Sequence, residues 1–139
     1  MGLTEDEKNT IIKYRLERAK ESLIDVHISV QNERWNNAAN RLYYACFYAA
    51  IALLLKDGYE TRTHNGVRML LGLHYVKTGI ISKEQNKAYR RMFDIRQTGD
   101  YDDLIMITEN KVLPLLEPAK QFIETIEKLI KDEGFSHIK

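Results

Sequence analysis

One arginine, Arg96, occupies a position on the apolar face of a predicted helix, where a packing residue is expected. Arg96 continues the i, i+3, i+4 series of apolar and aromatic residues in the segment KEQNKAYRRMFDIRQ, and residues with this spacing share one face of a helix. A guanidinium stays charged in proteins and needs acceptors when it is buried. Arg96 therefore either forms an internal ion pair with Asp100 or Asp102, or lines a cleft and binds phosphate through its bidentate fork.

A second polar group lies on the predicted central helix. Arg41, Tyr44 and Tyr48 fall on one stripe of that helix, and Asn40 is next to them. Tyrosine buries a large ring while its hydroxyl needs a hydrogen-bond partner. These side chains are therefore either packing residues with satisfied hydroxyls or the wall of a polar groove between helices.

The pair Thr63-His64 opens another predicted helix. Threonine is a common N-cap residue, and free backbone N–H groups at a helix N-terminus also bind anions. We expect Thr63 to act as the cap, and His64 remains a candidate for the wall of a binding cleft.

Several reaction classes lack their sequence motifs. The chain contains no G-x-x-x-x-G-K-[ST], G-x-G-x-x-G, G-x-S-x-G, H-E-x-x-H or C-x-x-C, and its four histidines are scattered along the sequence. Phosphate-loop, zinc and serine-hydrolase sites are therefore disfavoured. We predict neither a metal nor a cofactor.

Helical periodicity dominates the chain, and no segment alternates strictly between apolar and polar residues, which predicts an all-α protein. The second predicted helix is apolar on nearly every side after Ala38, so it is expected to be the central element. Pro114 and Pro118 are expected to delay the start of the last helix or to kink it. The five predicted helices run from about Thr4 to Gln31, Trp35 to Lys56, Thr63 to Thr78, Ser82 to just after Arg96, and over most of Thr108 to Asp132.

Length and composition describe a single globular domain over residues 1–139. A net charge of +1 provides no uniform field to hold nucleic acid, so a nucleic-acid site would have to be local. The N-terminus is acidic and polar, unlike a signal peptide. The longest apolar run, Ala45 to Leu55, is 11 residues long, which is too short for a membrane span. These features predict a cytoplasmic protein without a membrane partner.

Four segments resemble the HEPN domain family in its small stand-alone prokaryotic branch. They occur in the order N-R-L-Y-Y-A-C-F-Y-A-A, K-x-G-x-x-x-x-T-H-x-G, H-Y-V-K-T-G and R-x-x-x-D-Y-D-D, over about residues 8 to 132. The resemblance implies an antiparallel up-and-down bundle of four to five helices that forms a homodimer. It also implies a minimal nucleotidyltransferase as partner, often in a toxin–antitoxin module.

Many members of the wider family are metal-independent endoribonucleases. Their signature is an arginine followed, after four to six residues, by a histidine, and the motifs of two protomers face each other across the dimer cleft. On this resemblance Arg96 takes the arginine position, but Tyr101 stands where the histidine is expected. An ordinary tyrosine pKa near 10 is far from the pKa near 7 that suits proton transfer during RNA cleavage.

This departure favours a dimeric binding protein over an enzyme. Its nucleotide or RNA cleft is predicted to contain Asn40, Arg41, Tyr44, Tyr48, His64, Asp100 and Asp102. The alternative is an endoribonuclease toxin that uses Arg96 with Tyr101, or with His64 supplied from elsewhere in the fold. The resemblance further suggests that the partner docks at Tyr101 or Asp102, or adds a nucleotide to Tyr101.

Overall fold

Five α-helices are present in the described part of the chain, which a computed structural model defines for residues 2–101 and 106–138, with side chains for 2–98 and 106–132. A π-helical turn, Gly72–Val76, extends the third helix, and the described residues contain no β-strand. The helices are α1 (Glu5–Gln31), α2 (Trp35–Lys56), α3 (His64–Leu71), α4 (Lys83–Tyr101) and α5 (Glu109–Ile138). The prediction of an all-α bundle is confirmed.

Helices α1 and α2 form an antiparallel pair, because residues 32–34 are all that joins them. The start of α1 is fixed by a reciprocal capping box. The Glu7 N–H donates to the Thr4 hydroxyl at 3.1 Å, and the Thr4 N–H donates to the Glu7 carboxylate at 2.9 Å. The predicted bounds of both helices agree with the structure to within one residue.

Helix α2 is the centre of the molecule, as its composition predicts. It packs against α1, α4 and α5, and Leu42, Leu53 and Leu54 on it are at most 1% exposed. By length and composition α2 could cross a membrane, yet 78% of its most apolar stretch is buried inside the bundle. Its apolar surface is therefore accounted for by contacts with the neighbouring helices.

Two predicted helix boundaries are wrong. Helix α4 does not end just after Arg96 but continues to Tyr101; Gly99 disfavours a helix by only about 1 kcal/mol relative to alanine and leaves its hydrogen-bonding pattern intact. Helix α5 ends at Ile138 rather than near Asp132; it begins at Glu109, so of the two alternatives for Pro114 the delayed start is excluded. Pro114 lies in the second turn of α5 on an exposed face, where water can satisfy the carbonyl that loses its N–H partner. The kink at this proline stays a prediction.

The connection between α2 and α3 is anchored at several points, which fixes where α3 begins. The buried guanidinium of Arg15 on α1 donates to the Ile51 carbonyl at 3.1 Å and to the Glu60 carboxylate at 3.3 Å. The ring of Tyr59 stacks on that of His74, with centroids 4.4 Å apart. At the end of the connection, the Thr63 hydroxyl accepts the Gly66 N–H at 2.9 Å, so the predicted N-cap is confirmed.

Candidate functional site

An aromatic cluster forms where α2, α3 and α4 meet, and His64 lies within it. His64 is the first residue of α3. The anchored α2–α3 connection before it therefore positions the imidazole against α2. Its ring centroid lies between 5.1 and 6.1 Å from those of Phe47, Tyr43, Phe93 and Tyr44. The imidazole is half-buried, so one part of it is held by the cluster while another part stays accessible.

Arg96 reaches the same rings from α4. Its guanidinium carbon lies 5.1 Å from the centroid of the Tyr44 ring and 5.8 Å from that of the Tyr43 ring. At these distances a cation is attracted by the negative face of an aromatic ring. Arg96 and His64 are far apart in sequence, yet both contact Tyr43 and Tyr44. The tertiary structure therefore brings Arg96 and His64 to the same two rings.

The surroundings of His64 favour its neutral form. Burial, together with the positive charge of Arg96, lowers the pKa of the imidazole below its ordinary value of 6.5. The Nδ1 atom of His64 lies 2.7 Å from the Tyr43 hydroxyl, and the Tyr89 hydroxyl donates to that of Tyr43 at 3.4 Å. Tyr89, Tyr43 and His64 thus form a chain of hydrogen bonds that runs from the core to the site.

Both tyrosines in this chain keep their protons. Burial raises the pKa of Tyr43 to about 12 and raises that of Tyr89 well above 10. In the tautomer of the neutral imidazole that carries its proton on Nε2, Nδ1 of His64 accepts the Tyr43 hydroxyl proton, and the Tyr43 oxygen accepts from Tyr89. In this state Nε2 is a hydrogen-bond donor suited to a phosphate or base oxygen. The lone pair that could accept a proton is already occupied by Tyr43.

Further arginines cover the rings at the edge of the cluster. Arg41 lies over Tyr44 at 5.3 Å and donates to the Asn40 side-chain carbonyl at 3.0 and 3.2 Å. Arg18 from α1 lies over Tyr48 at 5.0 Å and donates to its hydroxyl at 2.9 Å. Each guanidinium is thereby oriented by a ring, with donors remaining for a ligand.

Six of the predicted site residues lie along one half-buried surface that spans α2, α3 and α4. They are Asn40, Arg41, Tyr44, Tyr48, His64 and Arg96. We call this the arginine–aromatic surface. Asp102 and the side chains of Asp100 and Tyr101 lie outside the described residues, so the ion pair with Arg96 and the roles of Tyr101 stay predictions.

Three residues of this region are not among the predicted site residues. The sequence pattern favours a packing role for Tyr43, although its hydroxyl contacts His64. Arg68 lies over the Phe93 ring at 5.8 Å; it follows His64 by four residues, and this spacing could have placed both on one helix face. Arg18 has no sequence signal, because only the packing of α1 on α2 brings it to Tyr48. Within the described residues, no group of three or more His, Cys, Asp or Glu side chains could hold a metal ion.

Comparisons with known proteins agree with this architecture. Residues 12–129 match the HEPN domain. A UPF0332 protein of Thermotoga maritima is 44% identical over 127 residues, which cover 91% of this chain and 96% of that protein. A Methanocaldococcus jannaschii protein, named as a putative toxin, is 30% identical over 87% of this chain and 90% of its own length. The crystal structure of TT1696 from Thermus thermophilus has a TM-score of 0.72, covering 84% of this chain and 96% of that one; at 17% identity, this likeness concerns the fold alone.

Proposed function

Because the chain belongs to the HEPN domain family, we propose that it is the HEPN component of a toxin–antitoxin-type pair and binds a nucleotide or RNA at the arginine–aromatic surface. The observation that carries this proposal is the convergence of Arg96 and His64 on the rings of Tyr43 and Tyr44. Two relatives from Methanocaldococcus jannaschii are named putative toxins, which supports the toxin-type role.

The surface has the chemistry that nucleotides require. Arginine forks bind phosphate oxygens in pairs, and rings such as that of the half-buried Tyr44 provide stacking faces for bases. The Nε2–H of His64 adds a neutral donor beside the Arg96 charge. In the tautomer with the proton on Nε2, binding is favoured over proton transfer, because Nδ1 carries the one lone pair of the imidazole and lies 2.7 Å from the Tyr43 hydroxyl.

The second candidate function is a metal-independent endoribonuclease. It is favoured by the convergence of Arg96 and His64 on the same two rings, which would supply a phosphate-binding cation and a proton-transfer group within one protomer. In that case Tyr43 must release Nδ1 during the reaction. The variant of this candidate that uses Tyr101 instead concerns a side chain outside the described residues.

We further propose that the protein acts in the cytoplasm as a homodimer with a minimal nucleotidyltransferase as partner. These expectations come from the family resemblance. Light scattering on the purified chain tests the homodimer, and a dimer has twice the monomer mass of 16.3 kDa. A monomer across micromolar concentrations contradicts it. Co-purification with a nucleotidyltransferase encoded beside it would support the partner.

Binding and cleavage of RNA in EDTA test the main proposal and its alternative together. The proteins are the wild type, Arg96→Gln, His64→Gln and the control Arg34→Gln, which removes an exposed arginine of the α1–α2 connection. We expect the wild type and the control to bind a labelled oligoribonucleotide equally, without cleaving it. Arg96→Gln should weaken binding about tenfold, which corresponds to ~1.4 kcal/mol.

Two other outcomes would change the conclusion. Cleavage by the wild type that disappears in folded Arg96→Gln and His64→Gln proteins establishes the ribonuclease instead. Equal RNA affinity of all four proteins overturns the assignment of the binding site, and circular dichroism of each variant confirms that the helices are intact.

A further inference from the structure

The solvent side of α4 carries a line of cations. We call Lys83, Lys87, Arg90 and Arg91 the α4 basic stripe; all four side chains are exposed. None of them forms an ion pair or hydrogen bond with a described residue. Two cations elsewhere, Lys20 on α1 and Lys131 on α5, both pair with Glu127. The charges of the stripe are therefore available to an external anion.

A groove between α4 and α5 lies beside this stripe. It has a volume of about 590 Å³ and contains three cations, Lys87, Arg91 and Lys111, above an apolar floor that includes Ile95 and Leu115. The carboxylates of Glu84 and Asp94 also line it. The cations outnumber the carboxylates, so the groove favours an anionic ligand.

Depressions that share lining residues lie between the groove and His64 of the arginine–aromatic surface. The groove shares Lys87 and Arg91 with a shallower depression on α4. That depression shares Arg90 with a small cleft next to His64 and Arg68. We call the series of lining residues from His64 past Arg90 to Lys111 the path. Along it lie six cationic side chains and two carboxylates.

The path also lies in the basic part of the chain. Residues 35–101, from the start of α2 to the end of α4, hold 10 of the 21 lysines and arginines but only 5 of the 20 aspartates and glutamates. The small net charge of the whole protein thus conceals a positive field over α2, α3 and α4. Such a field attracts polyanions and is screened by salt.

We propose that the α4 basic stripe and the α4–α5 groove hold the phosphate backbone of a single-stranded RNA whose terminal nucleotides lie on the arginine–aromatic surface. The proposal rests on the proposed function and extends it from one nucleotide to a strand. Lys83, Lys87 and Arg91 follow each other at i, i+4 and i+8, so their Cα atoms are about 6 Å apart along α4. This repeated cation spacing suits a chain of phosphates, and the aromatic cluster at one end suits bases, which favours RNA over an acidic protein.

The test compares a labelled single-stranded RNA of roughly 20 nucleotides with a trinucleotide that reaches only the arginine–aromatic surface. The variant Lys87→Gln/Arg91→Gln removes two charges from the groove. The control Lys13→Gln/Lys120→Gln removes two exposed charges from α1 and α5. Affinity is measured by fluorescence anisotropy at several salt concentrations.

We expect the groove variant to bind the long RNA about tenfold more weakly at low salt, with the slope of log affinity against log salt reduced by about 1.4, or ~0.7 per lost phosphate contact. Its affinity for the trinucleotide should equal that of the wild type, and the control should bind both probes as the wild type does.

Unchanged affinity of the groove variant for the long RNA overturns the proposal. The α4 basic stripe would then be assigned to an acidic protein partner instead. An equal loss for both probes also overturns it, because the groove would then not be a separate contact. Failure of the proposed function looks different: Arg96→Gln and His64→Gln would bind the trinucleotide as well as the wild type does.

Discussion

At the scale of single residues, the Tyr43 hydroxyl connects the core to the site. It lies between the Tyr89 hydroxyl at 3.4 Å and Nδ1 of His64 at 2.7 Å. We expect Tyr43→Phe to lower the free energy of unfolding by about 1 kcal/mol, because a buried hydrogen bond is lost and the partners are left unsatisfied. Urea denaturation measures this effect. Tyr44→Phe is the matched control, and an equal loss there would argue against the chain of hydrogen bonds.

The pKa of His64 provides a second residue-scale prediction. Burial and then the Arg96 charge lower it, so we expect His64 to titrate below 6.5 in an NMR titration of the imidazole protons. Arg96→Gln should raise the pKa of His64, because the substitution removes the positive charge that disfavours the imidazolium. A pKa that is unchanged in Arg96→Gln would contradict the proximity of the two side chains.

The direction of this shift also determines how His64 affects stability. The unfolded state binds a proton near pH 6.5, whereas the folded state binds it only at lower pH. Between those two values the unfolded state holds more protons. The contribution of His64 is therefore fully present above pH 6.5 and is lost as the pH falls through the folded pKa.

At the scale of elements, alanine substitutions at two glycines near the end of the third helical segment should change stability in opposite directions. Gly72 has φ −61° and no heavy atom within 4 Å of an added Cβ, so Gly72→Ala should stabilise the protein by about 0.5–1 kcal/mol. Gly79 has φ +83°, so Gly79→Ala should destabilise it by roughly 1–2 kcal/mol. Thermal unfolding of both variants measures the two stability changes. Changes of the same sign would contradict the φ angles of the two glycines.

Most of the element boundaries were readable from the sequence because local chemistry sets them. Thr4 with Glu7 and Ser82 with Gln85 satisfy each other reciprocally, and this spacing is visible in the sequence. Local rules failed at one glycine, with a penalty of about 1 kcal/mol, and at one proline, with a penalty of about 3 kcal/mol. Neither Gly99 nor Pro114 interrupts its helix, because packing over the rest of a helix outweighs costs of this size.

At the scale of the whole molecule, stability depends on the burial of α2. Leu53 is 0% exposed, so we expect Leu53→Ala to lower the free energy of unfolding by about 2–5 kcal/mol through lost burial and the remaining cavity. Leu73→Ala is the control: Leu73 is 54% exposed, and its truncation should change stability by less than about 0.5 kcal/mol. Chemical denaturation distinguishes the two, and similar losses would place Leu53 outside the core.

Charge is organised at the same scale. The composition predicts no uniform positive field, yet Arg68 of α3 and four cations of α4 line neighbouring depressions. Of the 20 acidic residues, 15 lie outside residues 35–101. A net charge averages over the molecule, whereas a polyanion responds to the local field.

The sequence by itself determined the helices, the central position of α2 and the choice of Arg96 as an inward cation, because periodicity and capping act over a few residues. The tertiary structure alone decided that Arg96 and His64 meet at the same rings, that the Tyr43 hydroxyl contacts Nδ1 of His64, and that Arg18 joins the same cluster. These contacts join residues from about 20 to 50 positions apart. The packing of α1, α3 and α4 around α2 determines which residues meet across such sequence separations. Periodicity and capping, which act over a few residues, carry no information about it.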